Sequence, residues 1–415
     1  MSLAPRTPDP AAPRRVLWVT DEPPDRAGGG GNIRQSYLLR AVASAADTTL
    51  LLAGELDDAS VRAAVSSVVE VAHPGLVVHH TELGRRAATL LNAIGGKWPS
   101  EVRLSRDVRR LLARELAARH GDYDLVVVIH SAIASALPPD RAGATAVELQ
   151  HLRSTMFEQQ RATHPGARQE WLYRREARQA ARLEGDAARR ADVTITCSQD
   201  DARRVQALGA RAVVVAPNGV NVGHFRPSPV PSAPRLVLPA TLDFVPNIDG
   251  VLWFCEEVLP RLRAARPEVE LAIVGRRPAP QVRALAAQPG VVIHADVESV
   301  APHLEAARAV VVPLRMGTGT RLKALEALAA ARPLVGTSIG LEGLGLVDAR
   351  DALIADDPAG FAAAVARVLD DDELAARLGV AGREVVEARF DWDGIGAAYA
   401  ADLLAATARS AGASR

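Results

Sequence analysis

The residues best suited to chemistry stand together in one block, Pro313-Leu-Arg-Met-Gly-Thr-Gly-Thr-Arg-Leu-Lys-Ala-Leu-Glu326. An apolar run, Ala309 to Val312, precedes it, and a helical pattern follows to about Ala331. Gly317 and Gly319, set around Thr318 and before Thr320, permit close backbone approach to a ligand. A helix start offers unpaired N–H groups and the positive end of its dipole, so this strand, loop and helix read as a phosphate site. Lys323 and Glu326, spaced i and i+3, share one helical face, with Arg321 just ahead of them. Cations beside a diphosphate and a carboxylate accepting from a ribose diol suit a nucleotide-sugar; an exposed Lys–Glu pair after an ordinary loop is the plain alternative. Lysine is scarce enough to weigh here: of 49 Lys and Arg residues only Lys97 and Lys323 are lysine.

Other chemical patterns are weaker. Gly336-Thr-Ser338-Ile-Gly340 fits a nucleophile elbow, but all ten histidines lie at or before His303, whereas a hydrolase of that kind needs its histidine after the serine. Asp122-Tyr-Asp124 precedes a strand and Asp391-Trp-Asp393 caps a terminal helix, so neither acidic pair is placed to hold a cation on a sugar nucleotide. No HExxH or Walker A sequence occurs. Arginines from Arg153 to Arg190 crowd one helical stretch with Trp171 and Tyr173. Interleaved Glu158, Glu170, Glu176, Glu184 and Asp186 favour a solvated face, and a peripheral contact with a membrane or an anionic acceptor stays open.

Short β-branched runs alternating with longer Ala/Leu/Arg stretches predict βαβ units and mainly parallel sheets. One series runs through Arg15–Thr20, 48–52, 68–71, 125–129, 144–148, 193–196 and 212–215; a second through 235–238, 269–274, 291–293, 309–312, 333–335 and 352–354. Pro227, Pro229, Pro231 and Pro234 between them predict a linker at 227–234. The expected domains are 14–226 and 235–390, with 1–13 a disordered lead-in and 391–415 a helix crossing back. The expected architecture is two doubly wound Rossmann-like domains with ligand at the carboxyl ends of the strands. With 415 residues, 49 basic against 49 acidic groups and two cysteines, the chain reads as a cytoplasmic protein, not a nucleic-acid binder, a disulfide scaffold or a thiolate metal site. No signal-peptide pattern and no apolar run of about 18 residues is seen.

At this point the sequence resembles the retaining, GT-B-fold glycosyltransferases of family 4 over nearly its whole length. The resemblance rests on Gly28-Gly-Gly-Gly31-Asn-Ile-Arg34, Ala216-Pro-Asn-Gly-Val-Asn-Val-Gly-His-Phe225, Phe244-Val-Pro-Asn-Ile-Asp-Gly250, Leu271-Ala-Ile-Val-Gly275, the GTGTRLKALEAL block and a last helix opening at Phe390-Asp-Trp392. It implies that Glu326 is the ribose-holding final Glu of an E-x7-E motif whose first Glu is replaced by Thr318. Gly317 to Thr320 and Gly275 would bind the donor, with Arg321 and Lys323 carrying the diphosphate charge, since Asp243 and Asn247 occupy the stretch where many members have Arg and Lys. His130 would face the reacting sugar, and His151 is a second candidate. Gly30, Gly31 and Arg34 would border the acceptor and the leaving phosphate.

The implied reaction moves a sugar from a nucleotide-sugar to an acceptor hydroxyl with retention, without a metal or other cofactor and without a protein nucleophile. Domain closure about the linker would exclude water. UDP is taken as the donor base from family frequency. The acceptor, whether small molecule, glycan or lipid-linked, is open, as is the oligomeric state. Two other readings stand: a nucleotide-sugar epimerase on a similar fold, and a partner subunit that kept the fold and lost the chemistry.

Overall fold

A computed structural model describes residues 14–26, 28–71, 106–135, 137, 143–163 and 166–413. The lead-in expected at 1–13 and Lys97 lie outside them. The chain divides into two compact units, Met1–Ala216 with Ile395–Arg415, and Pro217–Gly394.

The first unit is built on seven parallel strands: β1 (Arg15–Thr20), β2 (Asp47–Leu52), β3 (Ser67–Glu70), β4 (Leu125–Ile129), β5 (Ala144–Leu149), β6 (Val193–Thr196) and β7 (Val213–Val215). Their order in the sheet is β3-β2-β1-β4-β5-β6-β7. Val16, Leu17, Trp18 and Val19 are all fully buried, because a parallel sheet is covered on both faces and its strands need apolar groups on each. Leu17, Val19, Val126 and Val128 pack against Leu112 and Leu116 of the helix Arg106–Arg119 and Ala187 of the helix Ala167–Arg190. The helix Gln199–Ala207 starts where Ser198 Oγ accepts the Asp201 N–H at 3.1 Å.

The second unit holds six parallel strands: β8 (Arg235–Thr241), β9 (Glu270–Arg276), β10 (Val291–Ala295), β11 (Ala309–Val312), β12 (Leu334–Gly336) and β13 (Leu353–Ile354). Their order is β10-β9-β8-β11-β12-β13. In this unit the order of strand addition reverses between the parallel neighbours β8 and β11, which is where open α/β sheets bind ligands. In the first unit the same point lies between β1 and β4. Trp253 and Phe254 meet the Phe361 ring edge-on, at 5.7 and 5.8 Å, within the apolar layer over β8, β9 and β11.

The proline-rich stretch expected as a linker lies inside the second unit. Two buried arginines hold it there: Arg332 donates to the carbonyls of Ser228 at 2.7 Å and Pro229 at 3.1 Å, and Arg308 to that of Pro231 at 3.3 Å. The last helix, Trp392–Ala413, rejoins the first unit from Ile395, where Arg14 donates to the Leu404 carbonyl at 2.6 Å.

Candidate functional site

In the second unit the loop from Pro313 to Arg321 leaves the carboxyl end of β11 and opens the helix Leu322–Ala329. Gly319 has φ +74°, a left-handed conformation that glycine adopts without strain. Thr318 and Thr320 are buried, and the loop is fastened from a distant point in sequence. The Asn218 N–H donates to Thr320 Oγ1 at 2.7 Å, and Asn218 Nδ2 donates to the Thr320 carbonyl at 2.7 Å. Arg321 turns inward: its guanidinium donates to the carbonyls of Thr318, Gly319 at 2.9 Å and Ile339 at 3.1 Å, and lies 3.7 Å from Glu342. The expectation that it carries diphosphate charge therefore meets a side chain already bonded to its own loop.

Lys323 is half-buried and donates from Nζ to Asn247 Oδ1 at 2.6 Å, while Asn247 Nδ2 donates to the Thr241 carbonyl at the end of β8 at 2.7 Å. Asn247 thus aims the lysine across the switch point. Burial pulls the Lys323 ammonium down to about 7, with the Arg321 charge adding to the effect. Burial likewise pushes Glu326 up to about 7, against the opposing pull of Lys323. A ligand bringing negative charge to Lys323 would restore its proton. The neighbouring Arg315–Asp249 pair, 2.5 and 3.0 Å, ties the other end of the loop to the helix Val245–Trp253. Gly275, on β9, comes so close to β8 that a Cβ there would stand 1.6 Å from the Ala240 carbonyl oxygen.

In the first unit His130 follows β4 with φ +73°, a strained value for a residue with a side chain. Its Nδ1 lies 3.2 Å from Asp21 Oδ1 at the end of β1. Burial works against the imidazolium, but the hydrogen bond and charge of Asp21, with the charge of Glu22, raise its pKa overall. His151 is exposed two residues past β5. Gly30 and Gly31 open the helix Gly30–Ala45, whose N-terminus has no side-chain cap. Arg34, the fifth residue of that helix, is in the interior: it is 1% exposed and its Nε meets Glu148 Oε1 at 2.5 Å, below the turn it was expected to border with phosphate.

His130, His151, Gly30 and Gly31 thus share the carboxyl edge of the first sheet, and Lys323, Glu326, Gly275 and the 317–320 loop that of the second. Three contributors carried no chemical signal in the sequence: Asn218, Asn247 and Asp21. The first two lie in motifs quoted above, so an amide on the chain leaving a strand, three residues past β7 for Asn218 and six past β8 for Asn247, was the available clue. On the Arg-rich helix Glu176 and Glu184 point inward, while Trp171 is 65% exposed beside Arg175. Among the described residues no group of three or more His, Cys, Asp and Glu could hold a metal, and no helix is long and apolar enough to cross a membrane.

Residues 29–224 match the profile of Glycosyltransferase Family 4, and residues 233–371 that of Glycosyl transferases group 1. Glycogen synthase of Mycobacterium tuberculosis is 30% identical over 263 residues, 59% of this chain and 62% of the relative, so the match spans less than two thirds of that protein. Among solved structures, sucrose-phosphate synthase from Thermosynechococcus elongatus superposes with TM-score 0.68 at 18% identity, covering 92% of this chain and 96% of its own. Anabaena HepE, solved in complex with UDP-glucose, gives TM-score 0.62 at 15% identity, covering 94% of this chain and 100% of its own. With two Rossmann-like parallel α/β units of GT-B architecture and both profiles matched in order, the chain belongs to the group 1 glycosyltransferases of family 4.

Proposed function

We propose that this protein is a glycosyltransferase that takes a sugar from a nucleotide-sugar bound at the carboxyl edge of the second sheet and places it on an acceptor hydroxyl. The observation that carries the reading is Lys323, held by Asn247 at the β8/β11 switch point, one helical turn from Glu326 and next to the fastened 317–320 loop. Lys323 and the N-terminus of its helix would neutralise the diphosphate, and Glu326 would accept from the ribose hydroxyls. UDP-glucose in HepE supports a UDP-sugar as the donor to try first.

In the proposed reaction the bond from the anomeric carbon to the diphosphate oxygen breaks, and the acceptor oxygen bonds to the same carbon from the same face. The acceptor proton passes to the released diphosphate, so configuration is retained and neither a protein nucleophile nor a metal takes part. His130, whose pKa Asp21 and Glu22 raise against the effect of burial, would donate to a sugar hydroxyl as charge develops. The reading puts the reaction where nucleotide-sugars are at hand, in the cytoplasm, and Trp171 with its arginine neighbours is the surface through which a peripheral membrane contact would run.

Proton NMR of the product formed from UDP-glucose with EDTA present tests the reading. An α-linked product formed at the rate seen without EDTA supports it; a β-linked product, a requirement for added divalent metal, or a UDP-sugar epimer as sole product refutes it.

A further inference from the structure

Asp21 and His130 are each the first residue past a strand, β1 and β4, and those two neighbours flank the switch point of the first sheet. Each is held by its own backbone. Thr20 Oγ1 donates to the Glu22 carbonyl at 3.0 Å and accepts the Glu22 N–H at 3.1 Å, which closes a tight turn around Asp21. The His130 N–H donates to the Glu148 carbonyl on β5 at 2.9 Å, and the residue keeps its φ of +73°. Backbone strain retained at a strand end, under a ring that is 30% exposed, marks a side chain whose direction matters.

Asp21 Oδ1 lies 3.2 Å from His130 Nδ1. A carboxylate only accepts, so Nδ1 carries the proton in the neutral ring and in the cation alike. Nε2 is then bare in the neutral ring and bears a proton only in the imidazolium. Burial disfavours that cation; the hydrogen bond and charge of Asp21, followed by the charge of Glu22, outweigh it, while Arg153 at the start of the helix Arg153–Thr163 opposes them. We propose that Asp21 is a positioning residue: by holding the Nδ1 proton it leaves Nε2 as the nitrogen that meets the sugar, and transfer proceeds only while the ring is the imidazolium. The proposal rests on the glycosyltransferase reading, in which His130 donates to a sugar hydroxyl.

The test pairs the titration of the ring with the rate. Nitrogen NMR of the protein isotope-labelled at histidine, with the His130 signals identified by their loss in His130→Gln, gives the tautomer and the pKa. The rate is kcat for UDP release from saturating UDP-glucose with water as acceptor, so that the Lys323 proton, which bears on donor binding, does not enter. The neutral ring should carry its proton on Nδ1, and kcat should fall about tenfold per pH unit above the pKa of the ring. Asp21→Asn, which keeps the size and loses the charge, should lower that pKa by about 1–2 units and move the fall in kcat to lower pH by the same interval, with UDP affinity within about twofold of the parent. A neutral ring protonated on Nε2, an unshifted pKa in Asp21→Asn, or a parent kcat that stays level through the titration of His130 overturns the proposal. Absence of UDP release from the parent at any pH instead removes the glycosyltransferase reading, while the NMR measurement still decides whether Asp21 holds the Nδ1 proton.

Discussion

Glu148→Leu should be among the most damaging single changes in the first unit. Arg34 and Glu148 are 1% and 0% exposed and their charged atoms meet at 2.5 Å, with Tyr399 of the last helix close enough for both charges to act on its hydroxyl. Removing the carboxylate leaves a guanidinium in an apolar interior, a loss of about 3–5 kcal/mol. In a unit of roughly 200 residues each kcal/mol moves the melting temperature by about 2–4 °C, so the first unit's transition should fall by about 6–20 °C. The double variant Arg34→Met/Glu148→Leu removes both charges at similar volume and should return to within about 2 kcal/mol of the parent. Calorimetry of the four proteins gives the comparison, and UDP binding shows whether the second unit is intact in each. A single-variant loss below about 1 kcal/mol, or a double variant worse than either single, would refute the reasoning. An unchanged donor KM in the double variant is also expected, because Arg34 lies beneath the glycine turn and not on it.

Since burial pulls Lys323 down to about 7, UDP affinity should be greatest below that pH and fall by up to about tenfold per pH unit above it, with net proton uptake on binding measurable by calorimetry in buffers of different ionisation enthalpy. Glu184 is 3% exposed and burial pushes it up to about 7, despite hydrogen bonds from Ser154; the stability tied to its proton is fully present below about 4.5 and lost as pH rises through 7. Glu184→Gln should therefore flatten the urea-denaturation profile of the first unit between pH 5 and 8, by an amount on the order of 2–3 kcal/mol. His130→Ala should lower kcat about a hundredfold with UDP affinity unchanged, and His130→Gly should be about 1 kcal/mol more stable than His130→Ala because φ +73° no longer strains a Cβ. Asn218→Ala strips the Thr320 carbonyl of a buried partner and should raise donor KM about tenfold, the kinetic equivalent of a contact worth about 1–1.5 kcal/mol.

The thirteen strands of the described residues stand where the β-branched runs predicted them, within a few residues at either end; most are buried on both faces and so continuously apolar, and such runs are conspicuous between polar helices, while the more exposed edge strands β3 and β10 were legible from their valines. The Lys323–Glu326 helix was legible for a similar local reason: strand, glycine loop and helix start lie within seventeen residues or so, and their periodicity places side chains on one face. What escaped depends on distant pairing. Asn218 fastens Thr320 from 102 positions away, and Arg34 finds Glu148 from 114. Nothing near Arg34 marks it as interior, since a cation in the second turn of a helix is usually solvated. Glu148 within the Ala144–Leu149 run was a local anomaly, a charge where every neighbour is buried, and it could have announced a buried partner. The proline stretch 227–234 misled in the other direction: prolines bar a helix or an inner strand there, but they leave carbonyls free for Arg332 and Arg308 to hold.

The central claim, that the 317–326 segment is a nucleotide-diphosphate site charged by Lys323, is tested most directly by thermal shift with UDP, GDP, ADP and dTDP in EDTA, on the parent and on Lys323→Ala. A ligand that binds only the folded state at 100 times its Kd adds about 2.7 kcal/mol. The account predicts a rise in melting temperature with one of the four, UDP foremost, and loss of most of that rise in the variant. No rise with any nucleotide, or an equal rise in Lys323→Ala, would contradict it.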